Sequence, residues 1–129
     1  MANEISPEMT IGTVGELLVQ LRLLQHGIQS CVPLKDSGND LIATKGRVVK
    51  FIQIKTSTKE YFSYDRSKLP DIFDLLFLVK LHGYDKELEL DRSEIFILKE
   101  DESREKGSYS VDELQSKKLT QNLLNDLFG

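Results

Sequence analysis

Apolar residues at helical spacing dominate the first part of the chain. They recur three and four positions apart and predict an amphipathic helix from about Pro7 to His26. Ser6 and Pro7 are typical of a helix start, since a hydroxyl caps the first turn and proline suits the first helical position. Gly27 marks the end, because glycine readily takes the left-handed conformation found just after a helix. The periodic positions are Ile11, Val14, Leu17, Leu18, Leu21, Leu24 and Ile28.

Beyond this helix, short apolar stretches separated by turn residues predict a series of strands. Strands are expected over residues 29–34, 41–44 and 48–55, with Lys45-Gly46 as the tight turn of a hairpin between the last two. A near-continuous apolar run over residues 75–81 is typical of a strand buried on both faces, although a buried helical segment also fits it.

The remaining segments complete the order of elements. A polar stretch at residues 57–71 is expected to form a loop and a short crossover, with an edge strand as a further possibility. An acidic connector at 85–92 then leads to a further strand at 95–98. Residues 110–113 (SVDE) form an S-x-x-E capping box, which predicts a helix from there to the C-terminus with a break near Thr120. Helices that flank and alternate with strands predict an α/β fold with a central mixed sheet.

Length and composition indicate one ordinary globular domain over residues 1–129. Of the 129 residues, 40% are hydrophobic and 29% charged. No apolar run approaches the ~20 residues that cross a bilayer, and the first residues show no secretory signal, so we expect a cytoplasmic protein with no membrane partner. The single cysteine, Cys31, excludes an intramolecular disulfide and a multi-cysteine metal site, and we expect it in the core.

The net charge of −4 is mild evidence against nucleic-acid binding, because nucleic-acid-binding domains are usually basic. A basic face can still lie on an acidic domain, and a metal-dependent nuclease needs carboxylates of its own. The motifs therefore have to decide between these classes.

Four polar residues, Glu16, Asp40, Gln53 and Lys55, form the best candidate for a chemical site. Gln53 and Lys55 are two positions apart, so their side chains leave the same face of their strand. If the predicted hairpin forms, Asp40 and Gln53 converge at one end of the sheet. Glu16 lies near two glycines, at positions 12 and 15, inside the helix. A helix-interior glycine costs about 1 kcal/mol relative to alanine, so we expect the helix backbone to lie close to the sheet.

These residue types suit a Mg²⁺ site, because Mg²⁺ prefers oxygen ligands in octahedral geometry and keeps several waters. Asp40 would supply a carboxylate, Gln53 an amide oxygen and Ile54 its backbone carbonyl. Glu16 would hold a metal-bound water from the helix side. Lys55 would orient the attacking water or stabilise the charge that develops on a cleaved phosphate.

The same segments resemble the motifs of the PD-(D/E)XK nuclease superfamily, which has the restriction-endonuclease-like fold and includes archaeal Holliday-junction resolvases and many small nucleases. The matching segments are Gly15-Glu16, residues 38–43 (GNDLIA) and residues 51–57 (FIQIKTS). The resemblance implies an αβββαβ core and an endonuclease that hydrolyses DNA with Mg²⁺, or with Mn²⁺ in its place. It also implies the roles of the catalytic residues: Asp40 matches the motif aspartate, Gln53 the D/E position, Lys55 the motif lysine and Glu16 the helix glutamate.

Two positions depart from the family pattern. Asn39 replaces the proline that precedes the aspartate, which is a minor change, and Gln53 replaces an acidic residue. A Q-x-K variant is compatible with activity in this superfamily. Glutamine removes one negative charge from the metal site, however, so weaker metal affinity or greater reliance on Glu16 is expected.

A basic and aromatic segment follows the motif lysine. We expect Lys59, Arg66 and Lys68 to contact phosphates of a nucleic acid and Tyr61 to stack on an unpaired base. The alternative is a solvated strand edge with its aromatic rings packed inward.

The candidate site also has a structural interpretation, in which Gln53 and Lys55 form the solvent face of a half-buried strand, Asp40 is a turn residue and Glu16 an exposed helix residue. The leading hypothesis is a Mg²⁺-dependent DNA endonuclease that acts as a homodimer, since cutting both strands needs two sites. Two alternatives remain: a module of the same fold that binds nucleic acid or protein without turnover, and an interaction protein that uses the acidic residues 85–105.

Overall fold

Two sheets and three α-helices form the part of the chain that the computed structural model describes, residues 4–35 and 38–129. The main sheet has the strand order β1-β2-β3-β5-β6, and β4 pairs with β7 in a second, two-stranded sheet. The strands are β1 (Gln29–Cys31), β2 (Leu41–Lys45), β3 (Val48–Ser57), β4 (Tyr61–Ser63), β5 (Leu75–His82), β6 (Glu89–Lys99) and β7 (Ser108–Ser110). The α-helices are α1 (Pro7–Gln25), α2 (Glu100–Glu105) and α3 (Gln121–Phe128), with 3₁₀ segments at Arg66–Lys68 and Asp112–Lys117.

The predicted first helix is confirmed as α1. The Ser6 hydroxyl accepts a hydrogen bond from the Met9 N–H at 3.2 Å, and Pro7 occupies the first turn, where its missing N–H is not needed. His26 caps the helix, and Gly27 follows with φ of +78°. The start and stop signals in the sequence therefore act locally, as expected.

The predicted mixed sheet is also confirmed. β2 and β3 form an antiparallel hairpin through a turn in which Gly46 has φ of +60°. β3 then pairs in parallel with β5, and β5 pairs antiparallel with β6. The strand at Leu75–His82 is buried along almost its whole length, because elements cover both faces of the sheet there.

The two faces of the main sheet are covered by different elements. On one face, Ile52 and Ile54 pack with Leu18 and Leu23 of α1 and with Phe128 of α3. On the other face, the side chains of β5 and β6 pack against the β4–β7 sheet and the 3₁₀ segment that follows it, through Phe62, Leu76, Leu78, Phe96, Tyr109 and Leu114. Gln53 and Lys55 alternate with the isoleucines and so lie on the face opposite α1.

The crossover between the parallel strands β3 and β5 differs from the αβββαβ pattern. It contains β4 and the short 3₁₀ segment Arg66–Lys68, where that pattern places an α-helix. The polar segment nevertheless forms an edge strand, because β4 finds a partner in β7, more than forty residues later. Residues 35–39 (KDSGN), whose residue types predict a turn, include 36 and 37, which lie outside the described residues.

Four local expectations are wrong. The strand predicted at 29–34 is only the three-residue β1, and Cys31 is exposed rather than in the core. β6 begins at Glu89 and takes in part of the predicted acidic connector, because His82 of β5 pairs with Glu89 across a bulge. The capping-box hydrogen bonds of Ser110 and Glu113 form, but they open a 3₁₀ segment instead of a long helix.

Helix α1 lies directly against β3 at Gly15. A Cβ atom placed on Gly15 would overlap Thr56 Oγ1 and lie 2.9 Å from Thr56 Cβ and Cγ2, which is closer than side chains pack. Gly12, one turn earlier, has no atom within 4 Å of the same added position. The expected close approach of helix and sheet therefore occurs at Gly15 and not at Gly12.

We expect Gly15→Ala to lower the free energy of unfolding by about 1–3 kcal/mol, because the added methyl group must displace Thr56 or shift α1. Gly12→Ala is the matched control, and we expect it to raise stability by about 0.5–1 kcal/mol, since alanine is the better helix former and meets no atom there. Urea unfolding of the two variants and the parent measures both effects. Equal effects of the two substitutions would contradict the close contact at Gly15.

Candidate functional site

Asp40 joins the start of β2 to β3 through two hydrogen bonds. Its backbone N–H donates to the Ile52 carbonyl at 3.0 Å, and its Oδ2 accepts the backbone N–H of Ile54 at 2.7 Å. The register that pairs Leu41 with Ile52 places Asp40 beside Gln53. The carboxylate therefore lies at the start of β2, against the backbone of the central strand, and an exposed turn carboxylate would not be held there.

Gln53 is only 6% exposed, although it is polar. Its amide nitrogen donates to the backbone carbonyl of Gly38, two residues before Asp40. Because a carbonyl oxygen cannot donate, this partner fixes which end of the amide points at Gly38 and directs Oε1 away from it. Gln53 is thus a buried side chain of defined orientation, and the interpretation of a solvent-facing strand residue does not fit it.

Glu16 approaches the same place from α1 and is partly buried. Loss of hydration raises the pKa of its carboxyl, and the negative charge of Asp40 raises that pKa further. The two carboxylates are therefore close enough to repel each other. Glu16 can reach this position because Gly15 lets the backbone of α1 contact Thr56.

Lys55 lies on β3 on the same side as Gln53 and is partly exposed. Within residues 4–35 and 38–129, no hydrogen bond or salt bridge holds its ammonium. Lys80 of β5 provides a contrast, since it is buried and donates to the Thr58 carbonyl at 2.6 Å. The ammonium of Lys55 is thus available to an anion that comes from outside the chain.

The structure therefore brings together three of the four predicted residues, and the fourth lies beside them. Asp40 is linked to the backbone of β3, Gln53 to the segment that leads into Asp40, and Glu16 to Asp40 by electrostatic repulsion. Gln53 and Lys55 lie on the sheet face opposite α1, whereas Glu16 comes from the α1 side. The site lies just before the start of β2, where side chains from the two faces of the sheet can meet beyond the strand's first residue, Leu41.

The basic and aromatic segment divides into two groups. Tyr61 is 49% exposed, with the Lys59 ammonium 5.8 Å from its ring centre, and Lys68 is exposed. Arg66 is also exposed, but its guanidinium donates to the carbonyls of Arg104 and Glu105 at 3.1 and 2.8 Å and so holds the end of α2. Lys59, Tyr61 and Lys68 remain accessible to a ligand, whereas the guanidinium of Arg66 already has a structural role.

Phe62 and Tyr64 in the same segment pack inward, as the structural alternative for the aromatic rings predicts. Phe62 is buried in the core cluster that also holds Phe96, and the Tyr64 hydroxyl donates to the Ser103 carbonyl at 2.7 Å. Their contribution is to attach the β4–β7 sheet to the main sheet.

Two residues of the motif segment that the sequence analysis gave no role of their own, Gly38 and Asn39, border the site. Gly38 accepts the Gln53 hydrogen bond, and a Cβ on it would lie 3.4 Å from Pro70. Asn39 donates through Nδ2 to the Ile72 carbonyl at 3.2 Å, and its buried Oδ1 has no hydrogen-bond partner among the residues that the structure describes. These contacts anchor the segment before Asp40 to the crossover. Periodicity could not reveal them, because the crossover is more than thirty residues away in sequence.

The atoms at the site that could bind a cation are all oxygens. Among the described residues, no three His, Cys, Asp or Glu side chains come together as a cation site. A cation here would therefore depend on two carboxylates, Glu16 and Asp40, with neutral oxygens from Gln53 and the backbone. Such a donor set suits a hard ion such as Mg²⁺ and not a softer ion that prefers nitrogen or sulfur.

The raised pKa of Glu16 predicts a pH-dependent loss of stability. A carboxyl whose pKa is higher in the folded state favours folding below its unfolded pKa of about 4.5, and this contribution is lost as pH rises through the folded value. We therefore expect Glu16→Gln to be more stable than the parent at pH 7, by a margin that shrinks towards pH 4. Urea unfolding in EDTA at both pH values tests this, with Glu8→Gln on the exposed first turn as control. A pH-independent margin would contradict the repulsion.

Of three comparisons with known proteins, the one with solved structures agrees with this fold. No family model matches the sequence, and no curated protein matches it. Among solved structures, the chain is similar to the bacterial homing endonuclease I-Ssp6803I, with a TM-score of 0.58 at 16% sequence identity. The similarity covers 82% of this chain and 75% of the other. In the described part of the chain, no helix is both long and apolar enough to span a bilayer. At this identity the likeness is one of fold, and the chain shares the mixed α/β architecture of a homing endonuclease.

Proposed function

We propose that this protein is a metal-dependent endonuclease that hydrolyses phosphodiester bonds of DNA. The observation that carries the proposal is the pair of mutually repelling carboxylates, Glu16 and Asp40, at the start of β2. Folding places them together although their repulsion opposes it, and a bound cation would remove that repulsion. The fold shared with a homing endonuclease supports the same conclusion.

The residues present fit a Mg²⁺ or Mn²⁺ ion. Asp40 would bind it through a carboxylate oxygen, Gln53 through Oε1 and Ile54 through its backbone carbonyl, while Glu16 would hold a coordinated water. Bound there, the cation would act as a Lewis acid towards the phosphate and lower the pKa of its water. Because Gln53 is neutral, the affinity for the ion should be lower than with a third carboxylate.

The other roles belong to the chain's own side chains. Lys55 has no partner among the described residues, so its ammonium is positioned to orient the attacking water or to neutralise charge that builds up on the phosphate. Lys59 and Lys68 would contact the DNA backbone on either side, and Tyr61 would stack on an unpaired base. Arg66 would act with them only by giving up its hydrogen bonds to α2.

A module that binds nucleic acid or a protein partner without turnover is the second candidate. The neutral Gln53 favours it, because one negative charge fewer weakens cation binding. The third interpretation, a partner protein that uses acidic residues 85–105, has less support. Four of those carboxylates form ion pairs within the chain: Glu89 with Arg92, Glu94 with Lys118, Glu100 with Arg104, and Glu102 with Lys117.

We expect the parent protein to cleave DNA with Mg²⁺ or Mn²⁺ and not with EDTA. The substrates are labelled duplex, single strand, flap and four-way junction. Asp40→Ala and Lys55→Ala should each lower cleavage by roughly 100-fold or more, since each removes a group that acts at the reacting phosphate.

Lys50→Ala is the matched control for Lys55→Ala. It removes the same charge from the same strand, about 16 Å away, and should leave cleavage unchanged. A folded parent that binds DNA but cleaves none of the four substrates with either metal would refute the nuclease and favour the binding module.

Gln53→Glu should change metal binding and stability in opposite directions. A carboxylate cannot donate to the Gly38 carbonyl and adds a third negative charge, so the variant should unfold at a lower temperature than the parent in EDTA. The added charge should tighten Mg²⁺ binding by roughly tenfold, so added Mg²⁺ should raise the variant's unfolding temperature more than the parent's. Thermal unfolding with increasing Mg²⁺ measures both, with Gln29→Glu on β1 as control. Equal Mg²⁺ responses of variant and parent would contradict Gln53 as a ligand.

A further inference from the structure

A groove separates the first turns of α1 from the segment that joins β3 to β4. Helix and strand are in contact at Gly15, but about one turn earlier along α1 they diverge. The space between them has a volume of about 290 Å³. Ile11 and Gly12 line it on the helix side, and residues 56–59 line it on the other side. The groove is therefore closed at Gly15 and widens towards the start of α1.

The groove opens directly beside the candidate site. Gly12 precedes Glu16 by four residues, so the two lie on one side of the helix about 6 Å apart along its axis. On the opposite wall, Thr56 directly follows Lys55 on β3. A ligand whose reacting group lies between Glu16 and Lys55 can therefore continue into the groove along α1.

Gly12 keeps the groove open, and the chain itself gives no other reason for a glycine at this position. Gly12 is helical and its φ is not positive, so its backbone conformation does not require glycine. A Cβ atom there would meet no atom within 4 Å, and alanine would favour the helix more. A glycine that neither conformation nor internal packing requires is typical of a place where a ligand approaches the backbone closely.

The far wall of the groove is held in place by hydrogen bonds. The Lys80 ammonium, whose side chain is only 6% exposed, donates to the Thr58 carbonyl at 2.6 Å. The Ser57 hydroxyl accepts the Lys59 N–H at 3.0 Å and donates to the Tyr61 carbonyl at 2.9 Å. This wall is therefore shaped before a ligand arrives, which reduces the entropy lost on binding.

The charges around the groove select the class of ligand. Lys59 is exposed on the far wall, and no carboxylate of residues 4–35 and 38–129 forms an ion pair with it. A phosphate can bind this ammonium while an uncharged sugar lies over Gly12. Glu8, at the outer end of the groove, would repel a second phosphate. A ligand with one phosphate and one sugar within the groove meets both conditions.

We propose that this groove binds one nucleotide of the DNA strand that passes the candidate site, with its phosphate on Lys59 and its sugar against the backbone at Gly12. The strand then leaves the groove before Glu8. The inference rests on the proposed function for its ligand, DNA, and adds to it a binding site on α1 with Gly12 as the residue that admits the strand.

Gly12→Gln tests the groove, because glutamine favours a helix more than glycine and its side chain would occupy the space over Gly12. We expect the variant to be at least as stable as the parent in urea and to bind DNA roughly tenfold more weakly or worse. Fluorescence anisotropy measures binding to labelled duplex, single strand and four-way junction, with Ca²⁺ in place of Mg²⁺ and electrophoresis to check that the DNA stays intact. Thr13→Gln is the matched control, since it places the same side chain at the next, exposed position of α1 and should leave binding unchanged.

Lys59→Gln provides a second readout that a structural role of Gly12 would not affect. In the parent it should lower the dependence of log Kd on log salt concentration by about one, as expected for the loss of one phosphate contact. In Gly12→Gln it should have little further effect, because both substitutions remove the same nucleotide from the groove. Additive effects of the two substitutions would contradict a shared nucleotide.

The outcomes separate this binding site from the proposed activity. If Gly12→Gln binds DNA as tightly as the parent, the groove is overturned, even where the parent cleaves DNA with Mg²⁺. If Gly12→Gln loses binding and Thr13→Gln does not, the groove is supported, even where the parent cleaves none of the substrates and the nuclease is refuted. A parent that binds none of the three DNA probes would overturn the groove together with the proposed function.

Discussion

The contact between Gly15 and Thr56 is the constraint on which the rest of the structure depends. It allows the backbone of α1 to lie directly on the central strand β3, at a distance that only a residue without a side chain permits. Because α1 is one continuous helix, this contact also determines in which direction its other residues point. Glu16 is brought to the start of β2, Leu18 and Leu23 are buried in the core, and Leu17, Leu21 and Leu24 face outwards.

The carboxylates of the candidate site lower the stability of the fold, and the same carboxylates are the groups that could bind a cation. The Glu16 carboxyl loses hydration and is repelled by the charge of Asp40, so the free energy of unfolding at neutral pH is lower than it would be with a neutral residue at position 16. Gln53 moderates this cost in two ways. It adds no third charge, and its amide donates to the Gly38 carbonyl, which a carboxylate could not do. The departure from an acidic residue therefore has a structural reason within this chain, independent of its effect on any cation.

Particular elements show how far sequence patterns reach. The first helix, the β2–β3 hairpin and the buried strand β5 follow from periodicity and from local start and turn signals, and all three form as predicted. The capping box of Ser110 and Glu113 also forms its two hydrogen bonds. The long helix predicted from it does not form, because Leu119 donates to the Ile95 carbonyl at 2.8 Å and draws the chain onto β6 before α3 can begin. The polar crossover after β3 forms a strand only because β7 pairs with it.

For the candidate site, the sequence predicted the residues but not their surroundings. Glu16, Asp40, Gln53 and Lys55 could be chosen from the sequence because residue type, order and strand alternation are local properties of the chain. Their surroundings could not, since the burial of Gln53, the contact of Asn39 with Ile72 and the structural role of Arg66 depend on partners more than ten residues away.

The sequence by itself determined α1, the β2–β3 hairpin, the buried strand β5 and the identity of the candidate residues, because hydrophobic period and backbone preference act over a few residues. Tertiary structure alone decided how closely α1 lies on β3, which carboxylates repel each other and which apolar face stays exposed. These properties arise from contacts between distant segments, and they exist only after the sheet has brought those segments together.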